Sequence, residues 1–160
     1  MKTLQIAIAW STLPLAAVPA PEEPAGTVYE WPTGAEVAVL RPFEPPEVRW
    51  AAGHRGVDLA LSPGDPVLAA ADGVVAFAGI VASRPVLSID HADGVRTTYE
   101  PVWPSVERGE AVAVGQEIGT LQAGHEPFGG LHWGARVGRE YIDPLSLLED
   151  RLVRLYPLIE

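Results

Sequence analysis

The stretch Val86-Leu87-Ser88-Ile89-Asp90-His91-Ala92-Asp93-Gly94-Val95-Arg96-Thr97-Thr98-Tyr99-Glu100 decides the fold class. Two runs rich in β-branched and aromatic residues, 86–90 and 96–100, flank an Asp-Gly pair. Asp93-Gly94 tolerates the positive φ of a tight hairpin turn, whose twist matches that of the strands it joins. His91 opens that turn and reads as a plain surface residue. Working outward, the same alternation of short strand and turn recurs. Strands are expected at 57–61, 67–70, 73–78, 117–121 and 131–137. Helical periodicity appears only at the end. There Asp143 is a good N-cap and Pro144 suits the first helical position. Leu145, Leu148, Leu152 and Leu155 then recur at three- and four-residue spacing, so a short helix is expected over 143–155. Glycine and proline number 16 each in 160 residues, too many turn formers for a mostly helical chain. The expected fold is all-β, an antiparallel sheet core with a short C-terminal helix.

The length is that of one domain. Asp and Glu total 21 against 11 Lys and Arg, a formal charge of −10. There is no basic run, which argues against nucleic acid, because phosphate binding needs clustered cations. Cysteine is absent, excluding disulfides and thiol nucleophiles. Any metal site must therefore use His, Asp and Glu. Lys2, the broken apolar run 4–18 and the small residues Ala16, Ala17 and Ala20 have the shape of a signal peptide, and export is expected. That run is shorter than the ~20 residues of a membrane span. Half of the prolines fall before residue 47. We divide the chain into a signal peptide (1–20), a proline-rich lead-in (21–49), a domain (50–150) and a helical tail (151–160). Within the lead-in, 37–40 suits a short edge strand. A weak internal echo pairs Gly64-Asp65-Pro66-Val67 with Gly109-Glu110-Ala111-Val112, each followed by a glycine turn and a strand. That echo resembles the turns of barrel-sandwich hybrid domains.

Two constellations carry chemistry. In His54-Arg55-Gly56-Val57-Asp58, four residues of straight strand span about 13 Å. Metal–ligand bonds are only ~2 Å long. A shared metal therefore requires His54 to lie on a bend, for which Gly56 is suited. On spacing alone, a loop histidine and a capping aspartate are the better explanation of the segment. In Gly130-Leu131-His132-Trp133-Gly134-Ala135-Arg136, alternation puts Leu131, Trp133 and Ala135 on one face. His132, Gly134 and Arg136 take the other. Trp133 reads as core.

Taken together, His-x-Gly-x-Asp, a long run of strands and Leu-His-Trp-Gly-x-Arg resemble the lysostaphin-like, LytM-type zinc metallopeptidases. The resemblance covers roughly residues 42–148. It includes Asp72-Gly73-Val74-Val75 with Gly79, then Gly115-Gln116 with Ile118-Gly119, and Tyr141-Ile142-Asp143-Pro144. The resemblance implies Zn2+ held by His54, Asp58 and His132. It also implies an exported or wall-associated monomer that cuts peptide cross-links of bacterial peptidoglycan. Such a ligand set leaves the ion a net positive charge and an open position for water. Two departures weaken the expected catalysis. The family's second motif is His-x-His, but Gly130 stands where its first histidine belongs. The family also carries a histidine soon after the central tyrosine, where this chain has Pro101. His125, on the loop 124–130, and Glu100, beside the vacant central position, are the candidate catalytic substitutes. A histidine restored at position 130 should share a face with His132, unless Gly130 is needed at positive φ. Trp50 and Trp103 could line a groove or pack on the lead-in. The alternative function is a zinc-binding, catalytically inactive module that binds wall or regulates a hydrolase. A barrel-sandwich carrier would need a lysine at a hairpin tip, and the only lysine is Lys2.

Overall fold

A computed structural model describes residues 26–48, 50–124 and 129–148. The expected signal peptide, the tail 151–160, Leu152, Leu155 and His125 lie outside the described residues. Eleven strands follow in order among those described: β1 (Val39–Arg41), β2 (Gly56–Leu59), β3 (Pro66–Leu68), β4 (Gly73–Val81), β5 (Arg84–Asp90) and β6 (Val95–Glu100). Then come β7 (Val102–Pro104), β8 (Ala111–Val112), β9 (Glu117–Leu121), β10 (Leu131–Val137) and β11 (Glu140–Ile142). All pairings between them are antiparallel. The larger sheet has the order β1-β2-β10-β6-β5-β4-β8, with β11 on β10, and a smaller one has the order β3-β9-β7. The described part of the chain is thus nearly all β, as its alternating pattern implies.

The Asp93-Gly94 hairpin sets the register that builds the core. It pairs Leu87 with Tyr99 and Ile89 with Thr97. β10 continues the rows, setting Trp133 between Tyr99 and Val57, and Leu131 beside Leu59. All eight of these side chains are fully buried. Each large apolar one contributes about 1.5–3 kcal/mol by leaving water, so a one-residue slip, which would turn them outward, is strongly disfavoured. The smaller sheet adds Val67, Val102, Ile118 and Leu121 to the same cluster.

The opposite face of the larger sheet is set by the same register. Asp58, His132 and Glu100 form one row across β2, β10 and β6. Gly56, Gly134 and Thr98 form the next. On one side β10 runs along β6; its other side is shared in sequence by β2 and β11.

Several expectations need correction. The edge strand expected at 37–40 is Val39–Arg41, paired to β2 with an irregularity in register between Val39 and Arg41. β7, β8 and β11 were too short to show periodicity. Of the terminal helix, residues 146–148 are helical within the described chain, and the Asp143 carboxylate accepts from the Leu145 N–H at 3.0 Å. His91 is not a surface residue: it is 6% exposed. Its Nδ1–H donates to the Asp72 carbonyl at 2.8 Å, and Nε2 lies 2.7 Å from the Thr97 hydroxyl. The Tyr29 ring of the lead-in stands edge-on to it, 5.2 Å away. The lead-in covers this turn, which the turn's own sequence does not reveal. Burial pushes the imidazole pKa below its ordinary value. Among the described residues, no helix is long and apolar enough to cross a membrane.

Candidate metal centre

His54 sits outside any strand, on the bend the spacing requires. The lead-in pins it there: Glu44 and His54 exchange backbone hydrogen bonds at 3.0 and 2.8 Å. Asp58 and His132 face each other across β2 and β10. These two arrangements bring the three side chains together. His54 Nε2 lies 3.0 Å from Asp58 Oδ1, and His132 Nδ1 lies 2.9 Å from the same oxygen. The two imidazole nitrogens are 3.1 Å apart. His54 and Asp58 are buried, at 5% and 0% exposure. No other group of three or more such donors occurs among the described residues.

The donor set fits a cation. His54 Nδ1 is 2.7 Å from the Pro42 carbonyl oxygen, which can only accept. In a neutral His54 the proton therefore sits on Nδ1, and Nε2 points a lone pair into the cluster. That lone pair faces a carboxylate oxygen at 3.0 Å, an arrangement that needs a positive charge between them. Tetrahedral zinc with arms of ~2.0–2.2 Å separates its ligands by roughly 3.3 Å. The observed triangle is within a few tenths of an ångström of that spacing. The two imidazoles and one carboxylate are also donors zinc prefers.

Gly56 is what lets the His132 ring reach the cluster. A Cβ at position 56 would fall 2.5 Å from the Trp133 carbonyl oxygen and 2.8 and 2.9 Å from His132 Cε1 and Nε2. Gly130 is constrained differently. Its φ is +78°, and a Cβ there would meet the Leu59 carbonyl oxygen at 2.2 Å. The exception set for a histidine at position 130, that the glycine is needed at positive φ, is therefore the case that holds. β10 begins at Leu131, and the backbone before it leaves room for no side chain.

Glu100 stands beside His132 in the register, but its carboxylate accepts from Arg84 at 3.1 Å. Trp133 is fully buried core. Trp50 and Trp103 are 85% and 60% exposed, and neither is among the residues lining the groove beside His132. Beside His132 an open groove is walled by Arg55, Thr98, Glu100, Arg136 and Tyr141, with Gly134 in its floor. Sequence reasoning missed the Pro42 carbonyl entirely. A backbone acceptor leaves no mark on the sequence.

Comparison with known proteins agrees with this geometry. The description Peptidase family M23 matches residues 52–144. The chain is 44% identical over 158 residues to the uncharacterized Mycobacterium tuberculosis protein Rv2891, covering 94% of this chain and 62% of that protein. It thus spans less than two thirds of that relative's length. It is 33% identical over 96 residues to the DD-carboxypeptidase/endopeptidase Mpg of Neisseria meningitidis, covering 59% of this chain and 22% of Mpg. It is 29% identical over 128 residues to the murein hydrolase activator NlpD of Escherichia coli, covering 78% of this chain and 32% of NlpD. The solved catalytic domain of lysostaphin from Staphylococcus simulans superposes with a TM-score of 0.59 at 25% identity. That match covers 68% of this chain and 89% of the domain.

Proposed function

The chain belongs to peptidase family M23, and on that premise we propose that it is an exported zinc metalloendopeptidase acting on the peptide cross-links of bacterial peptidoglycan. The observation that carries this reading is the triangle of His54, Asp58 and His132, with the His54 tautomer set by the Pro42 carbonyl. These three residues would hold the ion. A zinc ion there supplies a Lewis acid that polarises a peptide carbonyl and lowers the pKa of water. The protein's own part is to present two nitrogen lone pairs and a carboxylate at fixed spacing, with the His54 and Asp58 donors screened from solvent. The open groove beside His132 leaves room for an extended peptide on the same face.

General acid–base assistance adds about 10²- to 10⁴-fold in such reactions. Position 130 has no side chain to give it, and position 101 is proline. Glu100, beside His132 and tethered to Arg84, and His125 remain the candidates for that role. This favours slow turnover. The same observation supports a second reading, a zinc-binding module without catalysis that regulates a wall hydrolase, the class to which NlpD's name assigns it. Zinc analysis of purified protein, combined with release of soluble fragments from bacterial walls, separates the two. Fragment release that is lost in Asp58→Ala supports the peptidase. Stoichiometric zinc with no release by the parent supports the module. Absence of zinc refutes both. If the parent is active, Glu100→Ala and His125→Ala identify the assisting group by which one abolishes release.

A further inference from the structure

The groove beside His132 opens at Arg55 and Tyr141 into a larger depression of about 550 Å³. Its charge is unusual for this chain. The protein carries −10 overall, and among the described arginines Arg41, Arg84 and Arg96 are engaged with Glu44, Glu100 and Asp90. Arg55, Arg136 and Arg139 gather on this one surface. Glu140 is the one acidic residue lining the outer depression, and Glu100 in the inner groove is held by Arg84. A strongly acidic protein thus places three arginines next to its candidate metal centre, with Asp90 within reach of the Arg136 charge, in a cleft that concentrates field lines.

The arginines are also held in place. Arg55 Cζ lies 5.7 Å from the centroid of the Tyr141 ring, within cation–π range. Tyr141 pairs with Arg136 across β11 and β10. The Arg136 guanidinium donates to the Gly138 carbonyl at 3.1 Å, which fixes its direction and leaves further N–H donors for a planar anion. Arg136 is four residues along β10 from His132, on the same face. That separation is roughly 13 Å, about four residues of an extended peptide.

We infer that Arg55 and Arg136, flanking Tyr141, form a subsite for a free carboxylate of the substrate peptide, some residues away from the bond at the His54–Asp58–His132 cluster. Arg139 adds longer-range attraction from the rim. The inference rests on the peptidase reading and adds a substrate requirement: stem peptides bearing an ionised carboxylate bind, and their amidated counterparts bind weakly. An acidic protein facing an anionic substrate would otherwise repel it.

The test uses the zinc-loaded full chain and a linear peptidoglycan stem peptide, which has no cross-link to cut. The peptide is compared as its free acid and after conversion of its carboxylates to amides, with affinity measured by calorimetry. A charge-assisted hydrogen-bond pair makes the free acid bind about tenfold tighter than the amide. That preference shrinks as salt is raised. Arg136→Gln should abolish it with zinc content unchanged, Arg136→Lys should keep part of it, and Arg139→Gln, at an exposed turn, should reduce it by a smaller factor. Equal binding of both forms by the parent overturns the subsite and leaves the peptidase reading standing. So does an Arg136→Gln variant that keeps the full preference. A parent that binds neither form overturns the subsite, and if it also fails to release wall fragments the peptidase reading falls with it.

Discussion

Replacing Gly56 by alanine should damage the metal centre without touching any of its three donor residues. The added methyl would lie 2.5 Å from the Trp133 carbonyl and under 3.0 Å from two atoms of the His132 ring. Carbon atoms do not sit that close to either, so β2 must move away from β10 to clear the carbonyl, and the ring must swing off the cluster unless that movement clears it too. The backbone movement strains the central pairing of the sheet. Overpacking of this kind costs about 1–3 kcal/mol, which for a chain of this size lowers the Tm by about 3–10 °C. A swing of the ring misdirects Nδ1, and loss of ligand orientation costs roughly ten- to a hundredfold in metal affinity. A thermal melt of the metal-free protein reads the first effect, and competition with a zinc-chelating dye reads the second. A variant that melts within a degree of the parent and competes equally for zinc would show that His132 does not approach Gly56 as described.

Three further outcomes follow from the same geometry. Gly130→His should lower the Tm and give no faster wall hydrolysis, because its backbone is at φ +78° and the Leu59 carbonyl blocks the Cβ; a stable, faster variant would refute this. His91 supplies a pH dependence. Burial holds its folded pKa below the unfolded value near 6.5, so the unfolded chain binds more protons there, and stability is full above about pH 6.5 and falls as pH drops below it. Melts of the metal-free protein between about pH 7.5 and 5.5 should show a falling Tm, with a shallower slope in His91→Gln; parallel slopes would remove His91 as a cause. Deleting residues 1–44 removes the Pro42 acceptor and the Glu44 pairing that hold His54. That truncation should lose zinc affinity while keeping β-type circular dichroism, and unchanged affinity would show that the lead-in does not set the centre.

What the sequence disclosed, and what it hid, follows from where the information resides. Leu87, Ile89, Tyr99 and Trp133 were legible as core because alternation and the Asp93-Gly94 turn fix which face each side chain takes. Asp58 and His132 were legible as neighbours only through a resemblance, since nothing in their spacing shows that β2 and β10 lie side by side. His54 had to be on a bend, but what holds the bend is a backbone exchange with Glu44, ten residues upstream. The burial of His91 depends on Tyr29 and Asp72 arriving from other segments of the chain. Gly130 carried both possibilities, a missing histidine and a required glycine, and only its contact with the Leu59 carbonyl decides between them. Arg55, Arg136 and Arg139 carry no signal one at a time; the β10–β11 hairpin gathers the last two, and the pairing of β2 with β10 brings Arg55 to them.

The central claim is that His54, Asp58 and His132 together hold one zinc ion, and zinc titration of the metal-free chain by calorimetry, repeated on His54→Ala, Asp58→Ala and His132→Ala, tests it most directly. The account predicts one tight site per chain in the parent and its loss in each of the three variants, with melts confirming that the variants remain folded. Full zinc occupancy in a folded His132→Ala or Asp58→Ala variant, or no tight site in the parent, would contradict it.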